Sequence, residues 1–370
     1  MIFHIATSLI EIDRATTVAF YNKSSTAVKA IFNNNGNLFI GKNNANAGHG
    51  IDNQDNFNNN SGGTISISRI TDIGIVNRNN GNFVNAGGIN LGIEIGVMNS
   101  GINNIGNFNN NASSTITIQK TYEGLVNSAG FTNNGTIEIN VIGESYEGFK
   151  NNGTLTNNTC AKLIVLIGRG RNSSGTVNNF GLIQIANNFY NHSVFNNNGI
   201  LAYGFLDTTI NPVAITNNDV IVGPVSTCNG VIRSALQIGG ANSFTIANTW
   251  YSDAAQTTAS GAYTTATNSF VSTQTVPGTF NNYLSLTDNV NNCIRVVPIK
   301  ITITSYMLSV ATSTAPLPYT GNNGNIVFTT TNIPDNASPY ILNFKKDGVT
   351  QPTRNIYVSS NAFTLNNLSS

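Results

Sequence analysis

The chain repeats one pattern of apolar and polar positions through its first three-fifths. In each copy an aromatic or aliphatic residue leads into two or three Asn, then a Gly or Ser, then an Ile-x-Ile segment. The spacing between copies is about two dozen residues, a period typical of repeat arrays. The copies begin at Phe32, Phe57, Phe83, Phe108, Phe131, Phe149, Val177, Phe195 and Ile215.

The alternation within each copy predicts a short β-strand. Period two places Ile65 and Ile67 on one face and Ser66 on the other. The Asn and Gly residues beside each strand tolerate the left-handed backbone of a sharp corner. Shorter strand-like segments such as Gly74–Asn77 lie between the copies. These features predict an all-β chain whose residues 1–222 form a parallel β-helix, expected to be right-handed because that form is commoner. Residues 1–30 are expected to form its N-terminal cap or a degenerate first turn. A seven-strand sandwich or barrel is the alternative.

Stacking of the turns predicts what fills this solenoid. Ile should lie on Ile and Phe on Phe along the interior, with Asn on Asn at the corners. Stacked Asn side chains can hydrogen-bond in ladders, as in other parallel in-register stacks. Most of the Phe, Ile, Asn and Gly residues of the repeat are therefore expected to have a structural role.

The composition excludes several classes of function. The chain has 370 residues, of which only 9% are charged, and its net charge is +1. Nucleic-acid binding needs clustered Lys and Arg to neutralise phosphates, so this class is disfavoured. The sequence contains no run of 18 apolar residues, so it predicts no membrane-spanning segment. The first residues lack the basic start of a secretory signal, yet the composition suits an extracellular protein. We therefore expect the sequence to be a segment of a longer secreted protein.

The pattern changes after residue 222. Cys228 and Cys293 bracket Trp250, and this order predicts an Ig-like β-sandwich with a Cys228–Cys293 disulfide against which Trp250 packs. Cys160 has no evident partner and is expected to pack as a small apolar residue. The predicted domains are 1–222, 223–303 and 304–370, the last a partial second β-sandwich or adhesin-repeat module.

Three resemblances add to this interpretation. The repeats of residues 30–222 resemble those of filamentous-haemagglutinin-like surface β-helix proteins. The phrases Trp250-Tyr-Ser-Asp, Gly261-Ala-Tyr-Thr-Thr and Asn-Asn-Cys293-Ile-Arg-Val-Val resemble the Ig-like domain of Bacteroidota surface proteins. Residues 304–370 resemble the repeat modules of gliding-motility adhesins. The resemblances imply a modular cell-surface protein exported by the type IX secretion route.

The charged residues offer few candidates for chemistry. A polysaccharide lyase or glycosidase needs converging carboxylates, and the acidic residues of the repeats are scattered. Glu144, Tyr146 and Glu147 form the densest group, and Tyr122 and Glu123 should stack beside them from one turn earlier. This acidic-aromatic patch is the predicted ligand-contact surface. The segment from Gly168 to Gly175 imitates a phosphate loop but lacks its Lys-Ser/Thr ending, so a turn is expected. We predict no catalytic residue, cofactor or metal site.

Together these observations predict a non-enzymatic adhesin or structural protein, secreted or on the cell surface. The β-helix would be a rigid stalk or multivalent binding surface for polysaccharide or another cell-surface ligand. A carbohydrate-active β-helix enzyme is the alternative, and a filament or sheath subunit is the second alternative.

Overall fold

The described part of the chain before residue 223 is a parallel β-solenoid. The computed structural model describes all residues except 1, 6–8, 14–16, 26–27, 42–47, 93–97, 209–211, 228–230, 234–235, 242, 274–276, 304–306, 315–323, 332–339, 347–348 and 369–370. The solenoid has about 8 turns, and its strands pair in parallel and in register with those of the next turn. The predicted β-helix is confirmed.

Each turn contains three strands, which we name by their order within the turn. The first strands carry the Phe-Asn-Asn phrase and form a 10-stranded sheet: Ile2–Ile5, Ile31–Asn34, Asn56–Asn59, Asn82–Asn85, Asn107–Asn110, Gly130–Asn133, Thr154–Asn157, Thr176–Asn179, Phe195–Asn197 and Thr216–Asn217. The second strands carry Ile-x-Ile or its equivalent: Leu9–Ile12, Asn37–Ile40, Thr64–Ile67, Gly88–Leu91, Thr115–Gln119, Thr136–Asn140, Lys162–Ile167 and Val220–Val222. The third strands are Val18–Asn22, His49–Asn53, Ile73–Asn77, Met98–Asn104, Thr121–Asn127, Glu147–Asn151 and Arg169–Asn172. In the long strands Leu182–Asn191 and Ile200–Asp207 the second and third strands are continuous.

A column of aromatic rings fills the interior beside the first strands. The rings of Phe57, Phe83, Phe108 and Phe131 stack with centroids 4.6 to 4.8 Å apart and planes within 6° of parallel. This separation equals the spacing of about 4.8 Å between hydrogen-bonded strands, so the register of the sheet fixes the stack. All four rings are buried.

A ladder of buried Asn amides runs along the first corner, where the first strand meets the second. Asn59 donates from Nδ2 to Asn85 Oδ1 at 2.7 Å and to the backbone oxygen of Gly88 at 3.2 Å. Every amide-to-amide bond of the ladder has this sense, from one turn to the next. The ladder consists of Asn34, Asn59, Asn85, Asn110, Asn133, Asn157, Asn179, Asn197 and Asn217.

A second ladder follows the third corner, where the third strand leads into the next turn. Asn127 receives a bond from Asn104 and donates to Asn151, and its Nδ2 also reaches the backbone oxygen of Thr154. Because Nδ2 donates both to the next Asn and to a backbone oxygen, both of its hydrogens are satisfied without water, as a buried amide requires. The ladder consists of Asn22, Asn53, Asn77, Asn104, Asn127, Asn151, Asn172 and Asn191. The predicted Asn ladders are confirmed.

A column of glycines lines the third strands, and sequence reasoning did not identify it. A Cβ placed on Gly124 would overlap the backbone oxygen of Gly148 and the Cγ2 methyl of Ile139. The bare backbone therefore leaves room for the second apolar residue of the neighbouring second strand. The column consists of Gly50, Gly74, Gly101, Gly124, Gly148 and Gly170.

Beyond the solenoid the strands become antiparallel. Those of residues 225–303 are Val225–Thr227, Val231–Arg233, Gln237–Ile238, Phe244–Ile246, Thr249–Tyr251, Ala259–Thr264, Ser269–Ser272, Gly278–Asp288 and Ile294–Ile303. Gln237–Ile238 pairs antiparallel with the last solenoid strand, Val220–Val222. Trp250 is fully buried and stacks on Phe270 and Tyr263, at 4.1 and 5.5 Å between centroids.

The predicted Cys228–Cys293 disulfide is wrong. Cys293 is bonded to Cys160, 133 residues earlier, with 5.7 Å between the Cα atoms. Cys228 lies outside the described residues. Cys160 sits at a solenoid corner with a φ of 64°, and it is exposed rather than packed as a small apolar residue. Trp250 packs on aromatic rings instead of on a disulfide. The bridge therefore joins the solenoid to the strand Ile294–Ile303 at its first end, and both cysteines belong to the same compact unit.

A second compact unit contains Ser226–Ile232, Ser272–Thr279 and Ile301–Ser370. Its small core includes Phe328, Val358, Phe363 and Leu365, and the rings of Phe328 and Phe363 stack at 4.9 Å. The predicted domain limits at 222 and 303 stay predictions. The strands after residue 303 are Met307–Thr314, Gly324–Thr331, Tyr340–Leu342, Lys345–Lys346, Val349–Thr350, Arg354–Ile356 and Ala362–Leu368.

Candidate ligand-contact surface

The later third strands present charged and aromatic side chains on the outside of the solenoid. In Thr121–Asn127 the residues Gly124 and Leu125 are buried, whereas Glu123 and Val126 are partly exposed. The parallel register repeats this arrangement in the next turns and builds two outward columns. We call them together the third-strand face. One column contains Ser100, Glu123, Glu147 and Arg169, and the other contains Asn103, Val126, Lys150, Arg171 and Tyr190.

The structure brings together four of the five residues of the predicted patch. Glu123 lies opposite Glu147 in the register of adjacent turns. The rings of Tyr122 and Tyr146 meet edge to face, with centroids 5.0 Å apart, and both side chains are more than one-third exposed. Glu144 is exposed in the loop that precedes Glu147, beside Tyr146 in the chain. The pairs arise because the register stacks residue 123 on residue 147.

Glu123 is held by neighbours on both sides. Ser100 donates from Oγ to Glu123 Oε2 at 2.9 Å, from one turn earlier. Lys150 Nζ lies 3.9 Å from Glu123 Oε1, and both side chains are about one-third exposed. An ion pair of this exposure contributes little to stability.

Glu147 is more enclosed than Glu123. Its Oε1 lies 3.0 Å from Arg171 NH2, and its side chain is only 16% exposed. Burial raises the pKa of the Glu147 carboxyl, although the nearby Arg171, Arg169 and Lys150 charges favour its ionised form. The other oxygen, Oε2, and the Arg171 Nε are both buried without a hydrogen-bond partner. An acceptor and a donor in one ion pair are therefore left with unused hydrogen-bonding capacity.

Sequence reasoning missed the cationic and aromatic part of this surface. Arg169 and Arg171 place their guanidinium carbons 5.9 and 5.3 Å from the centre of the Tyr190 ring, within range of cation–π attraction. Tyr190 in turn stacks with His192 at 6.2 Å. The expected turn at Gly168–Gly175 is in fact the strand Arg169–Asn172, and Gly168, with a φ of 112°, leads into it. The sequence feature that could have indicated this surface is Gly170 between two Arg, because Gly170 takes the buried glycine position of a third strand and places Arg169 and Arg171 on its outer side.

Other surfaces of the described residues offer less chemistry. A groove of about 660 Å³ follows the first corner and is lined by small residues such as Gly63, Gly87 and Thr115, without an aromatic or charged side chain. Asp52 accepts hydrogen bonds from two nitrogens of Arg78 in an ion pair. The hydrogen bond to Asp52 raises the pKa of the Arg78 guanidinium. Among the residues that the structure describes, no three His, Cys, Asp or Glu are grouped closely enough to hold a metal ion.

Comparisons with protein-family models, with curated proteins and with solved structures find no match for this chain. In the described part of the chain, no helix is both long enough and apolar enough to cross a membrane.

Proposed function

We propose that this chain is a non-enzymatic adhesin in which the solenoid is a rigid stalk and the third-strand face contacts saccharides. The observation that carries the proposal is the exposed Tyr122–Tyr146 pair beside the Glu123–Glu147 pair. Aromatic rings offer an apolar face to sugar C–H groups, and carboxylates accept bonds from sugar hydroxyls. The parallel register holds these groups in place before any ligand binds, which limits the entropy lost on binding.

The disulfide supports an extracellular location, secreted or on the cell surface. Disulfides persist in oxidising compartments and are rare in the cytosol. The Cys160–Cys293 bridge also fixes the antiparallel sheet to the solenoid. We extend the proposal to a right-handed solenoid followed by Ig-like and adhesin-repeat sandwiches, in a Bacteroidota-type surface protein exported by the type IX route. The sequence resemblances support this extension.

A glycosidase is the second candidate, and one observation favours it. Glu123 and Glu147 are adjacent carboxyls, and burial raises the pKa of one of them, as a general acid requires. Against this candidate, Lys150 and Arg171 each pair with one of the carboxyls.

Two measurements on the full chain separate the candidates. A glycan array reports binding, and an assay of new reducing ends reports cleavage of the glycans that bind. The adhesin predicts binding without new reducing ends, with weaker binding by Tyr122→Ala. The glycosidase predicts new reducing ends that disappear in Glu147→Gln. Cleavage would overturn the adhesin, and so would the absence of binding to every saccharide.

A further inference from the structure

We propose that the third-strand face binds a carboxylate-bearing saccharide, with Arg169 as the residue that receives the carboxylate. The inference rests on the proposed function and names the ligand class of the same surface. It comes from the Arg169-Gly-Arg171 strand, which the predicted patch did not include.

The charges around Arg169 leave its guanidinium available. Glu123 is paired with Lys150, and Glu147 is paired with Arg171. Arg169 follows Glu147 in the same outward column and its charge favours the ionised form of Glu147, but no ion pair joins Arg169 to a carboxylate among the described residues. A guanidinium presents donors in a planar fork that matches a carboxylate at two points.

The neighbours of Arg169 suit a sugar ring. Tyr190 lies beneath both guanidinium groups of this strand, and its partly exposed ring continues the aromatic surface towards His192. Asn188 Nδ2 contacts the Tyr190 hydroxyl oxygen at 3.2 Å and orients the ring. Arginine stacked on an aromatic ring keeps its in-plane donors for a ligand.

The Glu147–Arg171 pair supplies the remaining complementarity. Glu147 Oε2 and Arg171 Nε are an unused acceptor and an unused donor in the same ion pair. Two neighbouring hydroxyls of a sugar can donate one such bond and accept the other. Buried polar groups that lack partners favour a ligand able to satisfy them. A hexuronate carries both the carboxylate and the neighbouring hydroxyls.

The test is calorimetric titration of the full chain with a galacturonate tetrasaccharide, with its methyl ester and with a neutral galactose tetrasaccharide. The free acid should bind at least about tenfold more tightly than the ester. Arg169→Gln should remove this preference and leave the affinity for the ester unchanged, whereas Arg169→Lys should keep part of it. Tyr190→Ala should weaken binding of both forms. Lys162→Gln is the matched control, because Lys162 carries the same charge on the second strand of the same turn.

Several results would overturn the inference. Equal affinity for the free acid and its methyl ester would overturn it. An Arg169→Gln variant that binds the free acid as tightly as the wild type would also overturn it. A sulfated tetrasaccharide that binds as tightly as the carboxylated one would do the same. Circular dichroism of each variant shows whether the solenoid is intact. Arg169→Lys keeps the positive charge at this position and so tests the role of the guanidinium without a loss of charge. Binding of neutral saccharides without charge preference would reject this inference alone. Binding of no saccharide would reject the proposed function as well.

Discussion

Asn127 donates a 2.8 Å hydrogen bond from Nδ2 to Asn151 Oδ1, and both side chains are completely buried. This bond connects two turns of the solenoid at the third corner. Because each amide is both a donor and an acceptor, removal of one side chain takes one hydrogen bond from the amide before it and one from the amide after it. The ladders therefore combine full satisfaction in the native state with a high cost of interruption.

Asn127→Ala should lower the free energy of unfolding by about 3 kcal/mol, because it leaves one amide hydrogen of Asn104 and the Oδ1 of Asn151 buried without a hydrogen-bond partner. Chemical denaturation followed by circular dichroism measures this loss. Asn109→Ala is the matched control, because Asn109 faces outward from a first strand and should cost little. Equal losses in the two variants would contradict the ladder as a source of stability.

Phe108→Ala should cost about 4 kcal/mol, because it opens a cavity between two stacked rings. Phe108→Leu should cost much less, since Leu155 occupies the same column two turns later and the column accepts an aliphatic side chain. Thermal unfolding of both variants distinguishes them. Similar melting temperatures for Ala and Leu would mean that the column is not closely packed.

Gly124→Ala should destabilise the solenoid by about 3 kcal/mol, because the new methyl overlaps Gly148 and Ile139. Gly88→Ala provides the control. A Cβ there meets only the Thr115 hydroxyl at 3.7 Å, and Thr occupies the same position in the adjacent turns. Denaturation midpoints should fall for Gly124→Ala and stay near the wild type for Gly88→Ala.

Cys160→Ser should lower stability by about 4 to 5 kcal/mol, because the bridge closes a loop of 133 residues. Peptide mapping of the unreduced protein should recover the Cys160–Cys293 pair. Cys228→Ser should leave both the mapped bridge and the melting temperature unchanged. A recovered Cys228–Cys293 peptide would contradict the structure.

The raised pKa of Glu147 predicts a pH effect of defined sign. Because the folded-state pKa lies above its ordinary value of 4.5, the stabilising contribution is complete below that value and is lost as pH rises through the folded pKa. Glu147→Gln removes this dependence. The wild type should therefore lose stability relative to Glu147→Gln as pH rises above 4.5. A difference that is constant or of opposite sign would contradict the burial of the carboxyl.

The repeated phrase allowed the solenoid and its Asn ladders to be predicted, since both depend on residues that recur at a fixed place in every turn. Glu123 and Glu147, two residues of the predicted patch, lie side by side for the same reason, because they have equivalent positions in adjacent turns. The ligand assignment of the patch stays a proposal.

Features outside the repeat could not be predicted in this way. Cys160 and Cys293 meet because the antiparallel sheet lies against the solenoid, and no local pattern encodes that contact. Arg169 and Tyr190 are 21 positions apart, and they became neighbours only once the register of each strand was known. The Gly column was visible in the sequence, but its cause is the volume of an Ile on another strand.

The two ladders lie at the first and third corners, and the second corner is held by backbone hydrogen bonds instead, such as that from Lys120 N to Asn140 O. The connection between second and third strands is short after Gln119 and longer after Asn140, where it carries Glu144 and Tyr146. Residues can therefore be gained or lost there without breaking a buried amide bond. The first and third corners thus maintain the shape of the solenoid, while the second corner can vary the surface that we propose contacts a ligand. A library randomised at residues 142–146 should yield folded proteins of altered ligand preference.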